Sequence, residues 1–228
     1  MKKVIISVLA ASTLLSSSVY ATPQSEMINI KSSSTSSSKK ESNKIKNAIF
    51  NLSDQQIKNA IALGKKGYDS LQEFMQKQNL PISSDKMKIW QPEAQLSTPY
   101  SFVALASFLA SDKYEDYTLK EAKYYVNYYR TTDRISFNLK AYGNNIDFAE
   151  TVKVVFKQGN KIYQPREVRG TDDVSRSLSW PEAPAYRVNL YYDFDIKNVD
   201  FSKDAELIYM YAGKELSVTY KVDFSKIK

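Results

Sequence analysis

The 228-residue chain contains no cysteine, no histidine, six glycines and two tryptophans. Without cysteine there is no disulfide, thiol nucleophile, thiolate metal site or lipid-bearing cysteine. Without histidine there is no Ser-His-Asp triad, no imidazole base and no imidazole metal ligand. The few glycines form no phosphate loop and no dinucleotide fingerprint, so neither a cofactor nor a metal is expected. A chain of this length, 43% hydrophobic, can bury a sizeable core and must rely on it for stability.

A concentrated field of one charge sign is also missing. The formal net charge is +7, but Lys2 and Lys3 belong to an N-terminal targeting pattern. Residues 22–46 carry five lysines against Glu26 and Glu41, which leaves 25 basic and 23 acidic side chains for residues 47–228. Nucleic-acid binders gather their positive charge on the folded face, so nucleic acid is not expected as a partner.

Long apolar runs are scarce as well. Lys2-Lys3 precedes an apolar stretch from Val4 to Leu15, and Val19 and Ala21 are small residues at the −3 and −1 places before Thr22. This is the pattern of a secretory signal peptide over 1–21, too short to span a membrane. Export across the cytoplasmic membrane to a periplasmic or extracellular location is expected, with no transmembrane segment in the mature chain. Residues 22–46, with Ser32 to Ser38 almost unbroken serine, read as a disordered Ser/Lys-rich tether.

The period then becomes helical. Ser53 and Gln56 have capping-box spacing before Ile57, Ala60 and Ile61, and Thr118 and Glu121 repeat it before Leu119, Ala122 and Val126. Gly64 and Gly67 interrupt the first pattern. Thr98-Pro99 starts a helix whose run Tyr100 to Ala110 is apolar nearly all round, as in a buried helix. Four helices are expected in a helical subdomain over 47–131. From Arg134 the period is two: Ile135, Phe137 and Leu139; Val152, Val154 and Phe156; Val188, Leu190 and Tyr192; Val218, Tyr220 and Val222. The expected fold is α+β, with the helical subdomain packed on an immunoglobulin-like β-sandwich over 132–228. The strand from Leu216 to Phe224 is a candidate open edge.

Chemistry-bearing residues are sparse. Asp172, Asp173, Asp193, Asp195, Asp200 and Asp204 lack the loop of a calcium site and read as solvated carboxylates. Ser83-x-x-Lys86 has the Ser-x-x-Lys spacing of penicillin-binding enzymes, but its companion motifs are absent. Seventeen tyrosines are the positive feature. Tyr114, Tyr117, Tyr124, Tyr125, Tyr128 and Tyr129 crowd one helix, interleaved with Lys120, Lys123 and Arg130. Such a stripe offers contact area at low entropy cost. Tyr124, Tyr128, Arg130, Trp90 and Tyr100 are the candidate binding residues.

The order of signal peptide, polar tether, short helices, the Thr98-Pro99-Tyr100-Ser101-Phe102 helix start and strands ending in Val222-Asp223-Phe224-Ser225-Lys226-Ile227 resembles an uncharacterised family of small exported bacterial proteins. The resemblance implies an envelope or extracellular location and carries no functional residue. The expected function is non-catalytic: a binding or adaptor protein of the bacterial envelope, contacting a protein partner or a surface glycan through the Tyr-rich patch. The alternative is a glycan-active hydrolase using Glu93 with Glu115 or Asp116.

Overall fold

A computed structural model describes residues 27–213 and 215–228, with side chains from Ser37 onward. The expected signal peptide, 1–21, lies outside the described residues. The chain divides after Ser36 into two units. The described part of the first is helical backbone from Met27, and the second, Ser37–Lys228, holds every remaining element.

Helix α1 spans Met27–Phe50, where a disordered tether was expected up to residue 46. Its C-terminal half is anchored. Ile49 and Phe50 are buried in the main core, Ile45 packs beside them, and Ser42 is buried. Ile45 and Ile49 lie one helical turn apart, a spacing that the surrounding serines and lysines hide in any compositional average.

Helices α2 (Asp54–Lys65), α3 (Tyr68–Lys77), α4 (Pro99–Asp112) and α5 (Leu119–Thr131) enclose a second core of Ile57, Ala60, Leu71, Val103, Ala122 and Val126. The capping boxes form as the sequence predicts. Ser53 N–H donates to the Gln56 side chain at 2.9 Å, and Thr118 N–H donates to Glu121 at 2.7 Å. Thr98 and Ser101 make a third box at the start of α4. Gly64 lies within α2 rather than interrupting it. Helix α4 is not buried all round: Val103, Ala104 and Ser107 face α2, while Leu105 and Leu109 are exposed.

All strand pairings are antiparallel. One sheet has the order β1-β10-β9-β4-β5 and joins β1 (Ile82–Asp85), β10 (Ser217–Val222), β9 (Ala205–Tyr211), β4 (Val152–Gln158) and β5 (Lys161–Tyr163). The other runs β2-β3-β8-β6 through β2 (Glu93–Ser97), β3 (Arg134–Gly143), β8 (Tyr186–Asp195) and β6 (Glu167–Arg169), with β7 (Ser175–Arg176) also paired to β8. The inward residues of both sheets share one core. Phe156 of β4 lies 5.7 Å from Phe137 of β3 and 5.9 Å from Phe194 of β8, ring centre to ring centre. The two-residue alternation of these strands is therefore the signature of a sheet with one buried face. The fold is α+β.

Two expectations are corrected here. The boundary at 131/132 does not divide the chain into helices and strands, because β1 and β2 precede it and pair with β10 and β3. The pair α4–α5 is an insertion between two neighbouring strands, β2 and β3. The supposed open edge at Leu216 to Phe224 is flanked on both sides, since β10 pairs with β1 and with β9. Among the described residues no helix is long and apolar enough to cross a membrane.

Candidate functional site

The insertion of α4 and α5 has a geometric consequence. Helix α4 leaves the sheet directly after β2, and α5 returns to it at Thr132, just before β3. The two helices stand over the outward face of the sheet and leave a groove of about 840 Å³ between themselves and the strands. Its wall is aromatic: Phe102 from α4, and Tyr124, Tyr125, Tyr128 and Tyr129 from α5. Phe102 lies 4.7 Å from Tyr125 and 6.0 Å from Tyr129, so the inner rings pack as one layer. Tyr124 is 73% exposed and Tyr128 is 55% exposed, so their rings are available to a ligand.

The floor is polar and built by strand register. Ser97, Ser136, Asp193 and Glu167 are direct cross-strand neighbours in one row, and Asn138, Tyr191 and Arg169 form the next. Arg134 joins this group from the start of β3. Its Nη1 is 2.9 Å from Glu167 and 3.6 Å from Asp193. Arg169 lies 3.1 Å from Asp193 and 3.5 Å from Glu167. The Arg169 guanidinium also sits over the Tyr191 ring, 5.4 Å from its centre. Tyr129 is packed between wall and floor. Burial, with a smaller contribution from the Asp193 charge and an opposing one from Arg169, pushes its hydroxyl up to about 12.

The structure places Tyr124 and Tyr128 in this one groove and the other candidates outside it. Arg130 faces a smaller hollow of about 270 Å³ beside Asn51, Asp54 and Lys123, and donates to Asn127 at 2.5 Å. Tyr100 packs against the helical core, 5.4 Å from Phe74. Trp90 lies in the connection between β1 and β2 with φ of 48°. Neither Tyr100 nor Trp90 lines either groove.

The carboxylates of the hydrolytic alternative are likewise dispersed. Glu93 is paired with Lys140 at 3.3 Å, and Asp116 with Lys65 at 2.9 Å. Neither they nor Glu115 line the groove. Ser83 donates to the Thr219 carbonyl, a bond that belongs to the sheet. Asp193 is not the solvated carboxylate its alternating position implies, being 6% exposed and held by two arginines.

The floor was missed because Arg134, Glu167, Arg169 and Asp193 come from three strands spread over 60 positions, and only strand pairing makes them neighbours. The available signal was an outward row of large polar residues on β3 and β8, which an ordinary solvated sheet face also shows. No known protein family matches the chain, and no curated protein or solved structure matches it either.

Proposed function

We propose that this chain is an exported, non-catalytic binding protein of the bacterial envelope that holds a surface glycan in the groove between α4–α5 and the sheet. The observation that carries the reading is the pairing of exposed Tyr124 and Tyr128 with a hydrogen-bonding floor that includes Ser97 and Ser136. Aromatic faces cover the apolar faces of a sugar ring, and hydroxyl and charged groups meet its edges. Two features of the sequence support export, the basic start and the small residues before Thr22.

The scaffold, in this reading, is an immunoglobulin-like sandwich with a helical subdomain inserted in it. The support is the strand order. The orders β2-β3-β8-β6 and β10-β9-β4 follow the A-B-E-D and G-F-C arrangement of an immunoglobulin constant-type domain. The cysteine pair and core tryptophan that mark antibody domains are absent from the chain, and Phe137, Phe156 and Phe194 occupy the middle of the core.

The test is retention of envelope material by the immobilised full chain, before and after exhaustive proteolysis of the envelopes. A glycan ligand survives proteolysis, and the Tyr124→Ala/Tyr128→Ala double variant loses about tenfold or more in affinity, as expected for exposed aromatic anchors. Capture abolished by proteolysis identifies a protein partner and overturns the glycan reading. Undiminished capture by the double variant removes the groove from consideration.

A further inference from the structure

We infer that the groove selects an uncharged glycan chain, and that the four ion-paired side chains of its floor set that selectivity. The inference rests on the reading of the groove as a glycan site. Arg134 and Arg169 are not free cations. Each divides its guanidinium between Glu167 and Asp193, and the contacts, from 2.9 to 3.6 Å, close a ring of alternating charge. Two positive and two negative groups cancel, and among the described residues every other side chain lining the groove is neutral.

A charged ligand therefore meets no net charge in the lining that would draw it in. An anionic chain that took an arginine from the ring would strip Asp193 of part of its pairing. Asp193 has a side chain only 8% exposed, and an unpaired buried charge is costly. An uncharged chain meets different conditions. Glu167 and Arg169 have side chains 45% and 51% exposed, so acceptor oxygens and N–H donors lie side by side at the surface of the ring. Neighbouring hydroxyls of a sugar can donate to the carboxylate and accept from the guanidinium while the ion pairs stay intact. The Arg169 guanidinium lies 5.4 Å from the centre of the Tyr191 ring, an added contact that holds it in place.

The test is calorimetric titration of the full chain with hexasaccharides of four kinds: cellohexaose and fully N-acetylated chitohexaose, which are uncharged, hexagalacturonate, which is anionic, and the de-acetylated chitosan hexamer, which is cationic. An uncharged hexamer is expected to bind about tenfold more tightly than either charged one, and to change little as salt is raised. Glu167→Gln leaves an arginine unbalanced, so affinity for hexagalacturonate rises about tenfold and becomes salt-sensitive. Arg169→Gln tips the floor the other way, toward the chitosan hexamer. The two variants test the same ring independently, so one that unfolds, as judged by loss of a cooperative thermal transition, leaves the other to decide.

Equal or tighter binding of a charged hexamer by the unmodified chain overturns the inference, as do folded variants with unchanged preference. If Tyr124→Ala still weakens that binding, the groove stands as a glycan site while its neutrality does not matter. Failure of every hexamer to bind removes the glycan reading together with the inference.

Discussion

Ser42 on α1 accepts a hydrogen bond from the backbone N–H of Phe201 at 2.8 Å, joining positions 159 residues apart. Both residues are buried, and the Phe201 ring lies 6.1 Å from Phe50 and 4.7 Å from Phe224. Without the serine hydroxyl, a buried N–H is left unpaired. Ser42→Ala is expected to cost about 1–3 kcal/mol, read as a lower urea midpoint at unchanged slope. Lys44→Ala, which removes only an exposed ion pair with Glu41, serves as the control and should stay within about 0.5 kcal/mol. A Ser42 variant as stable as its control would mean that α1 does not dock on the sheets in solution.

Gly64 supplies a second prediction, because its place in α2 is set by packing rather than by backbone conformation. A Cβ there would press on the Ala104 carbonyl and fall 2.7 Å from the Phe108 nitrogen and 2.8 Å from the Ser107 Cβ. Helix propensity favours alanine over glycine by about 1 kcal/mol. Close backbone approach wins here, because the overlap is with rigid parts of α4, and overpacking typically costs about 1–3 kcal/mol. Gly64→Ala should therefore lower the thermal midpoint. Gly67 is the contrasting case, with open space around it and φ of +95°, so Gly67→Ala strains the backbone without touching α4. A stabilising Gly64→Ala would show that α2 and α4 lie farther apart than the structure places them.

These two positions also show what was legible in the sequence. The capping boxes at Ser53 and Thr118 rest on bonds between residues three apart, so local spacing suffices to find them. The inward faces of β3, β8 and β10 follow from alternation alone. Strands β1 and β2 escaped because each is short, four and five residues, and pairing with distant β10 and β3 supplies what their local sequence lacks. The end of α1 escaped for a similar reason, since Ser42 and Phe50 find their partner in Phe201. In the groove, the four tyrosines of the wall come from one helix and were visible as a cluster. The floor comes from four strands and was not.

Asp200, next to Phe201, ties the docking of α1 to acid. Burial raises its carboxyl, but hydrogen bonds from the Ser202 hydroxyl and N–H, Lys203 and Ser38 outweigh this and hold it down at about 2. A folded-state value below the unfolded one contributes stability that is present above pH about 4 and is lost as pH falls toward 2. The size of this contribution is on the order of 2 kcal/mol. Urea midpoints measured from pH 6 down to pH 2 should fall, and Asp200→Asn should flatten that slope. Ser38→Ala, which removes one donor at 3.1 Å, should flatten it partly. A slope unchanged in Asp200→Asn would assign the acid sensitivity to other carboxylates.

The buried tyrosines give the opposite limb and a mutation of unusual sign. Tyr192, Tyr209 and Tyr220 lie inside the shared core, and burial raises each hydroxyl above its ordinary value, Tyr192 to about 12. A raised folded-state value means that the associated stability is fully present below pH about 10 and disappears as pH climbs through the folded values. Alkaline unfolding accompanied by a cooperative rise in tyrosinate absorbance is therefore expected. The three hydroxyls differ in their bonding. Tyr220 donates to the Pro92 carbonyl, and Tyr192 donates to the Val152 carbonyl at 3.4 Å, whereas the Tyr209 hydroxyl is buried with no hydrogen-bond partner among the described residues. Removing an unpaired buried hydroxyl relieves its desolvation cost, so Tyr209→Phe should stabilise the protein by about 1–3 kcal/mol. Tyr220→Phe strands the Pro92 carbonyl and should destabilise it by about 1 kcal/mol or more. The two substitutions delete the same atom from the same core, so opposite shifts in urea midpoint isolate hydrogen bonding from packing. A destabilising Tyr209→Phe would mean that its hydroxyl finds a bonding partner in solution.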